Sequence, residues 1–270
     1  MDPTVARLRQ TLPHLGDPGR AEQARRYLKS NLEFWGVALP ELRVELKQAL
    51  SALPHAPRRA SPAERGARAE AVLTLAEALW TYPVHELRVM AMLLLEHEGP
   101  ALTGAGVPPA DKVLLRLDPL IRDSRTWAYV DSLAVHTVGV IVDAERAVVN
   151  EVPADNRPGV LVLDRWIDDP DFWVRRTALL ALLQGVRKKR PDLRRLFRYA
   201  ERLLPEREFF LRKAVGWTIR EVGDRDPDAA AAFVAEHALV MSGLSFREAT
   251  RKLTPDVQAR LGALRRDGAN

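Results

Sequence analysis

Trp166-Ile167-Asp168-Asp169-Pro170-Asp171-Phe172-Trp173-Val174-Arg175-Arg176-Thr177-Ala178-Leu179-Leu180 reads as the end of one helix, a turn and the start of a second helix. Pro170 cannot continue the first helix, because it lacks the N–H and clashes with the preceding turn. The same plan occurs twice more. Trp80-Thr81-Tyr82-Pro83 runs into Glu86-Leu87-Arg88-Val89-Met90-Ala91, and Leu203-Leu204-Pro205-Glu206 runs into Phe210-Leu211-Arg212-Lys213-Ala214-Val215-Gly216-Trp217. Each second helix carries a basic residue shortly before a small alanine. Ala178 and Ala214 are 36 positions apart, and Ala91 and Ala178 are 87 apart, or two units of about 43.

Units of that size match helical pairs of the HEAT or armadillo type. The expected fold is all-α: a curved α-solenoid of HEAT/armadillo-like helical repeats, with a concave basic groove lined by the second helices. One domain is expected over 1–270, with about twelve helices. Stripes at helical spacing support it, with Ala24, Tyr27, Leu28 and Leu32 on one helix and Val72, Leu75, Ala76 and Leu79 on another. Val138–Val142 alternates like a strand but reads equally as buried helix. Breaks are expected at Leu12–Pro18, Gly36–Pro40, Leu53–Pro62, Gly99–Pro109, Val152–Pro158, Pro205 and Gly223–Pro227. Pro54–Arg68 is the most loop-like segment, and Arg265–Asn270 is expected to fray.

Composition narrows the chemistry. Hydrophobic residues make up 47% and charged residues 29% of the 270, enough for a core under a charged surface. There is no cysteine, which excludes disulfides, thiolate metal sites and cysteine nucleophiles. No apolar run is long enough to span a bilayer, and Met1–Thr11 lacks a signal-peptide pattern, so a bacterial cytoplasmic address is expected. No pair among the six histidines has metal-ligand spacing, and phosphate-loop, nucleophile-elbow and dinucleotide patterns are missing. No metal and no cofactor are expected. His85 reads as an exposed residue at a helix start, His136 as a core or surface residue, and Trp35, Trp80 and Trp166 as core.

The net charge of +5 is concentrated. Asp171–Arg220 holds 14 Lys and Arg against 5 Asp and Glu, a balance of +9, so the remainder carries −4. Lys213, Trp217 and Arg220 stand at i, i+4 and i+7, on one helical face. Cations beside indole planes suit a sugar-phosphate strand, since the charges meet phosphates and the rings lie on sugars or bases. The basic run Arg187–Arg190 also reads as an ordinary solvated helix end. A second cluster lies in Asp123-Ser124-Arg125-Thr126-Trp127-Ala128-Tyr129-Val130-Asp131-Ser132, read as a helix start with Asp123 or Ser124 as cap. Trp127 and Asp131 then project from one face, a ring and a carboxylate that both attract positive charge. Alone, the pair reads as a core indole beside a solvated acid.

In these residues the chain resembles the AlkD-type DNA glycosylases, which are HEAT-like repeat proteins. The resemblance rests on Ala24-Arg25-Arg26-Tyr27-Leu28-Lys29-Ser30, Trp127 through Val130-Asp131-Ser132, Trp173-Val174-Arg175-Arg176, Lys213 through Glu221, and Ser245-Phe246-Arg247-Glu248-Ala249. These span nearly the whole chain, in the family's order. The resemblance implies release of N3- or N7-alkylated purines from double-stranded DNA, with Asp131 as the catalytic carboxylate. It implies that Trp127 and Trp217 contact the lesion nucleotide, that Arg176 contacts a phosphate, and that Tyr27 is a cleft aromatic. Lys213, Arg220, Arg175 and Arg212 are expected as further DNA-binding cations. Ala128 and Tyr129 depart from the more polar residues of other members. A monomer acting on DNA is expected, without an obligatory protein partner. The rival readings are a non-catalytic solenoid for damaged or branched DNA, which does not need Asp131, and a protein-binding scaffold, the common role of helical repeats.

Overall fold

The computed structural model describes residues 2–57, 59–148 and 154–267. Among them the regular structure is all helix, apart from one isolated parallel bridge between Glu33 and Val84. No described helix is long and apolar enough to cross a membrane. Contacts divide the chain into two compact units, Met1–Gly159 and Val160–Asn270.

The first unit is built from α1 (Pro3–Thr11), α2 (Pro18–Leu28), α3 (Leu39–Ser51), α4 (Pro62–Trp80), α5 (His85–Glu98), α6 (Ala110–Ser124), α7 (Trp127–Ser132) and α8 (Gly139–Val148). Its central hairpin is α4 packed on α5. Ser61 and Glu64 form a reciprocal capping box that starts α4, so Pro62–Arg68 is helical and not loop as expected from the prolines. Val72, Leu75, Ala76 and Leu79 are buried as their spacing predicts. The stripe on α2 is not core. That helix ends at Leu28, where Lys29 adopts φ 49°, and only Ala21 on it is buried. Between α7 and α8, Leu133–Val138 forms a π-helical turn, so Val138–Val142 is buried helix.

The second unit contains the rest of α9 (Pro158–Trp166), then α10 (Phe172–Ala181), α11 (Leu183–Arg187), α12 (Leu193–Leu203), α13 (Phe209–Gly223), α14 (Pro227–His237), α15 (Gly243–Thr250) and α16 (Pro255–Asp267). The three predicted corners are all present, as α4 to α5, α9 to α10 and α12 to α13. Their matched alanines, Ala91, Ala178 and Ala214, are each fully buried, which lets neighbouring helices approach closely. The break expected at Val152–Pro158 begins outside the described residues, as does the end of Arg265–Asn270. Arg265–Asp267 continue α16 instead of fraying.

Candidate functional site

In the first unit the structure brings Tyr27 and Trp127 together. Their rings meet edge to face, 6.0 Å apart at 82°. Tyr27 is 67% exposed and Trp127 36% exposed. Exposed aromatics in edge contact form a surface that accepts a further flat ring or a sugar face. Asp131, also partly exposed, lies one turn beyond Trp127 on the same helix.

The expected helix start needs correction. Asp123 and Ser124 close α6, and Arg125 turns the chain at φ 47°. Thr126 then precedes α7, without a side-chain cap. Asp123 is occupied elsewhere. Its carboxylate accepts from Arg88 at 2.6 Å and from the Trp80 indole at 3.2 Å. Ser124 Oγ donates to the Leu120 carbonyl. The departure at Tyr129 also has an explanation: Tyr129 and Val130 face the interior. The Tyr129 hydroxyl lies 2.6 Å from His85 Nδ1, and its ring meets Trp80 edge to face. Burial pushes the phenol pKa up and the His85 pKa down, so a neutral phenol faces a neutral imidazole. His85 is therefore a packed, bonded side chain, not an exposed one. Trp80 and Trp166 are core as expected, whereas Trp35 is only half-buried in an extended segment, its indole N–H donating to Glu33.

Near Tyr27, α2 and its end present exposed Arg25, Arg26 and Lys29. Glu22 pairs only loosely with Arg25 and Arg26, at 3.6 and 3.5 Å.

The second unit treats its expected DNA-binding cations differently. Arg175 Nη1 donates to the carbonyls of Asp169 and Pro170, and Arg175 pairs with Glu206 at 3.1 Å. Arg212 Nε donates to the Glu206 carbonyl, the same six-residue step as Arg175 to Asp169. Both arginines clasp the turn that precedes their own helix. Arg176 is 3% exposed, and its Nη1 donates to the Phe210 carbonyl. Lys213 and Arg220 both pair with Glu248 on α15, Lys213 at 3.0 Å. The stretches Lys213 through Glu221 and Ser245 through Ala249 thus form one packing joint. Gly216 permits it, since a Cβ there would lie 2.5 Å from Glu248 Cβ and 2.9 Å from the Ser245 carbonyl. Trp217 is half-exposed, and its indole donates to Glu221 at 3.0 Å. Glu221 in turn faces Arg187 at 3.6 Å.

Sequence reasoning missed Glu248, Glu221 and His85. The available signal was local: an acid near a cation in a repeat motif. Pairing across helices has no linear pattern, however. Among the described residues, no group of three or more His, Asp and Glu is disposed to hold a metal ion.

A family model described as "DNA alkylation repair enzyme" matches residues 8–253. No curated protein matches the sequence. Among solved structures the chain is similar to a predicted DNA alkylation repair enzyme from Enterococcus faecalis. That match has 21% identity and a TM-score of 0.70, over 89% of this chain and 97% of that one. It is also similar to AlkD2 from Streptococcus mutans, with 15% identity and a TM-score of 0.50, over 97% and 95% of the two chains. At these identities the likeness speaks to the helical-repeat fold.

Proposed function

The chain belongs to the DNA alkylation repair enzyme family, and on that premise we propose that it is a monofunctional DNA glycosylase. Its substrates are cationic N3- or N7-alkylated purines in double-stranded DNA, and it hydrolyses their N-glycosidic bond. One observation supports this most: the exposed Tyr27–Trp127 pair with Asp131 a turn away, on a helix anchored from behind by Tyr129.

An alkylated purine that already carries positive charge leaves without protonation. The glycosidic electron pair departs with the base, which becomes neutral, and positive charge builds on the deoxyribose, as in other glycosyl transfers. Asp131 stabilises that charge, usually the largest catalytic contribution. It also orients the attacking water and takes its proton as oxygen bonds to C1′. Trp127 and Tyr27 hold the cationic base or sugar by ring-face contact, at about 0.5–2 kcal/mol each. Trp217 contacts DNA in the same way. Arg25, Arg26 and Lys29 supply phosphate contacts that position the strand without reading its sequence.

The test is chromatography of bases released from 7-methylguanine and 3-methyladenine DNA. Wild type is expected to release free base, and Asp131→Asn to release none above background while binding the duplex normally. Release unaffected by Asp131→Asn removes the assignment. Binding without release by wild type favours a non-catalytic DNA-binding role.

A further inference from the structure

We propose that His85 is a positioning residue for base release: through Tyr129 it sets the rotation of α7 that turns Trp127 and Asp131 outward. The inference rests on the glycosylase reading for its rate effect, but not for its geometry.

The helix that carries the candidate site buries two side chains, Tyr129 and Val130. It is six residues long before the π turn begins, and it lacks a side-chain cap. The chain turns into it through Arg125 in a left-handed conformation, and beyond Ser132 it runs on without a break into the π turn and α8. Two grips come from the corner between α4 and α5. Before Arg125, Arg88 and Trp80 hold Asp123. After it, His85 holds the Tyr129 hydroxyl. Tyr129 is two residues from both Trp127 and Asp131, so fixing its ring toward the core turns those two away from it.

The His85 ring is itself held. It stacks on Phe34 at 4.8 Å and 22°. Phe34 belongs to the segment that follows α2, the helix of Tyr27. Next to His85, the buried Glu86 carboxylate accepts the backbone N–H groups of Trp35 and Gly36 at 3.0 and 2.7 Å. His85 and Glu86 thus tie both partners of the exposed aromatic pair to one helix end. A reacting constellation needs such a supporting shell, because small misplacements are costly in rate.

The experiment compares Tyr129→Phe, which removes only the hydroxyl, with His85→Leu, which keeps bulk but no hydrogen bond, and His85→Asn, whose amide replaces Nδ1. Single-turnover base release is measured with saturating enzyme, and duplex affinity separately. In parallel, the 19F resonance of Trp127 is followed in protein labelled with 5-fluorotryptophan and assigned through Trp127→Phe. Tyr129→Phe and His85→Leu are each expected to slow release about tenfold or more. Their duplex Kd should stay within about twofold, since phosphate contacts elsewhere carry affinity. The double variant should be no slower than either single one, because both remove one interaction. His85→Asn should recover most of the rate, and the Trp127 resonance should shift in the two impaired variants. An unmoved Trp127 resonance, or rate losses that multiply in the double variant, overturns the proposal. If wild type releases no base yet the Trp127 resonance moves, the glycosylase reading fails and the clamp stands.

Discussion

At the residue scale, side chains of one chemical type divide by partner. Arg25 and Arg26 are exposed beside Tyr27, whereas Arg176 is buried with its Nη1 on the Phe210 carbonyl. Arg176→Met should therefore lower stability by about 1–3 kcal/mol through the unsatisfied carbonyl, read as a reduced denaturant midpoint at constant m-value. Gly216→Ala should cost a similar amount, about 1–3 kcal/mol, because its Cβ would press Glu248 and the Ser245 carbonyl. Trp127→Ala should slow base release far more than it weakens duplex binding, since one ring contributes little beside several phosphate contacts; single-turnover rates and Kd separate the two. The one-turn spacing of Trp127 and Asp131 was legible in the sequence, and the role expected of them came from the resemblance. The role of Tyr129 was not, because nothing in a linear sequence tells which residue of a short helix faces inward.

At the element scale, pairs between helices decide what a charged residue is for. On α13, Lys213 and Arg220 share Glu248 from α15, so a face that reads as DNA-binding in the sequence also closes a helix joint. The two turn-clasping arginines, Arg175 and Arg212, do the same for the corners before α10 and α13. Another joint predicts a pH dependence. Burial pushes the Glu98 carboxyl up, but the Arg68 guanidinium, bonded to both its oxygens at 2.7 and 2.8 Å, and His97 hold it below its ordinary value of 4.5. The folded state then binds this proton less readily than the unfolded chain. The stabilisation is present above the unfolded pKa and is lost as pH falls through the lower folded value. Arg68→Ala should therefore be less stable than wild type near pH 7, and the gap should shrink as pH falls below the ordinary value of 4.5; urea unfolding across that range measures it.

At the scale of the whole molecule, net charge overstates the cations available to a strand. The +9 balance of Asp171–Arg220 includes Arg175, Arg176, Arg195, Arg212, Lys213 and Arg220, each bonded within the second unit. Arg25→Ala with Arg26→Ala should flatten the salt dependence of duplex binding by about 0.9 in log–log slope per lost contact, as fluorescence anisotropy over a salt series would show. An unchanged slope would move the strand away from α2. The sequence by itself determined the helical class, the three repeat corners and their buried alanines, because helix periodicity, proline and small residues act over a few positions. It also marked Trp127 and Asp131, one turn apart. Only the tertiary structure decided that Tyr27 reaches Trp127, that Tyr129 on α7 meets His85, and which arginines are bonded inside. Those outcomes depend on which groups meet across helices and lose water together, and burial of that kind is set by contacts distant in sequence.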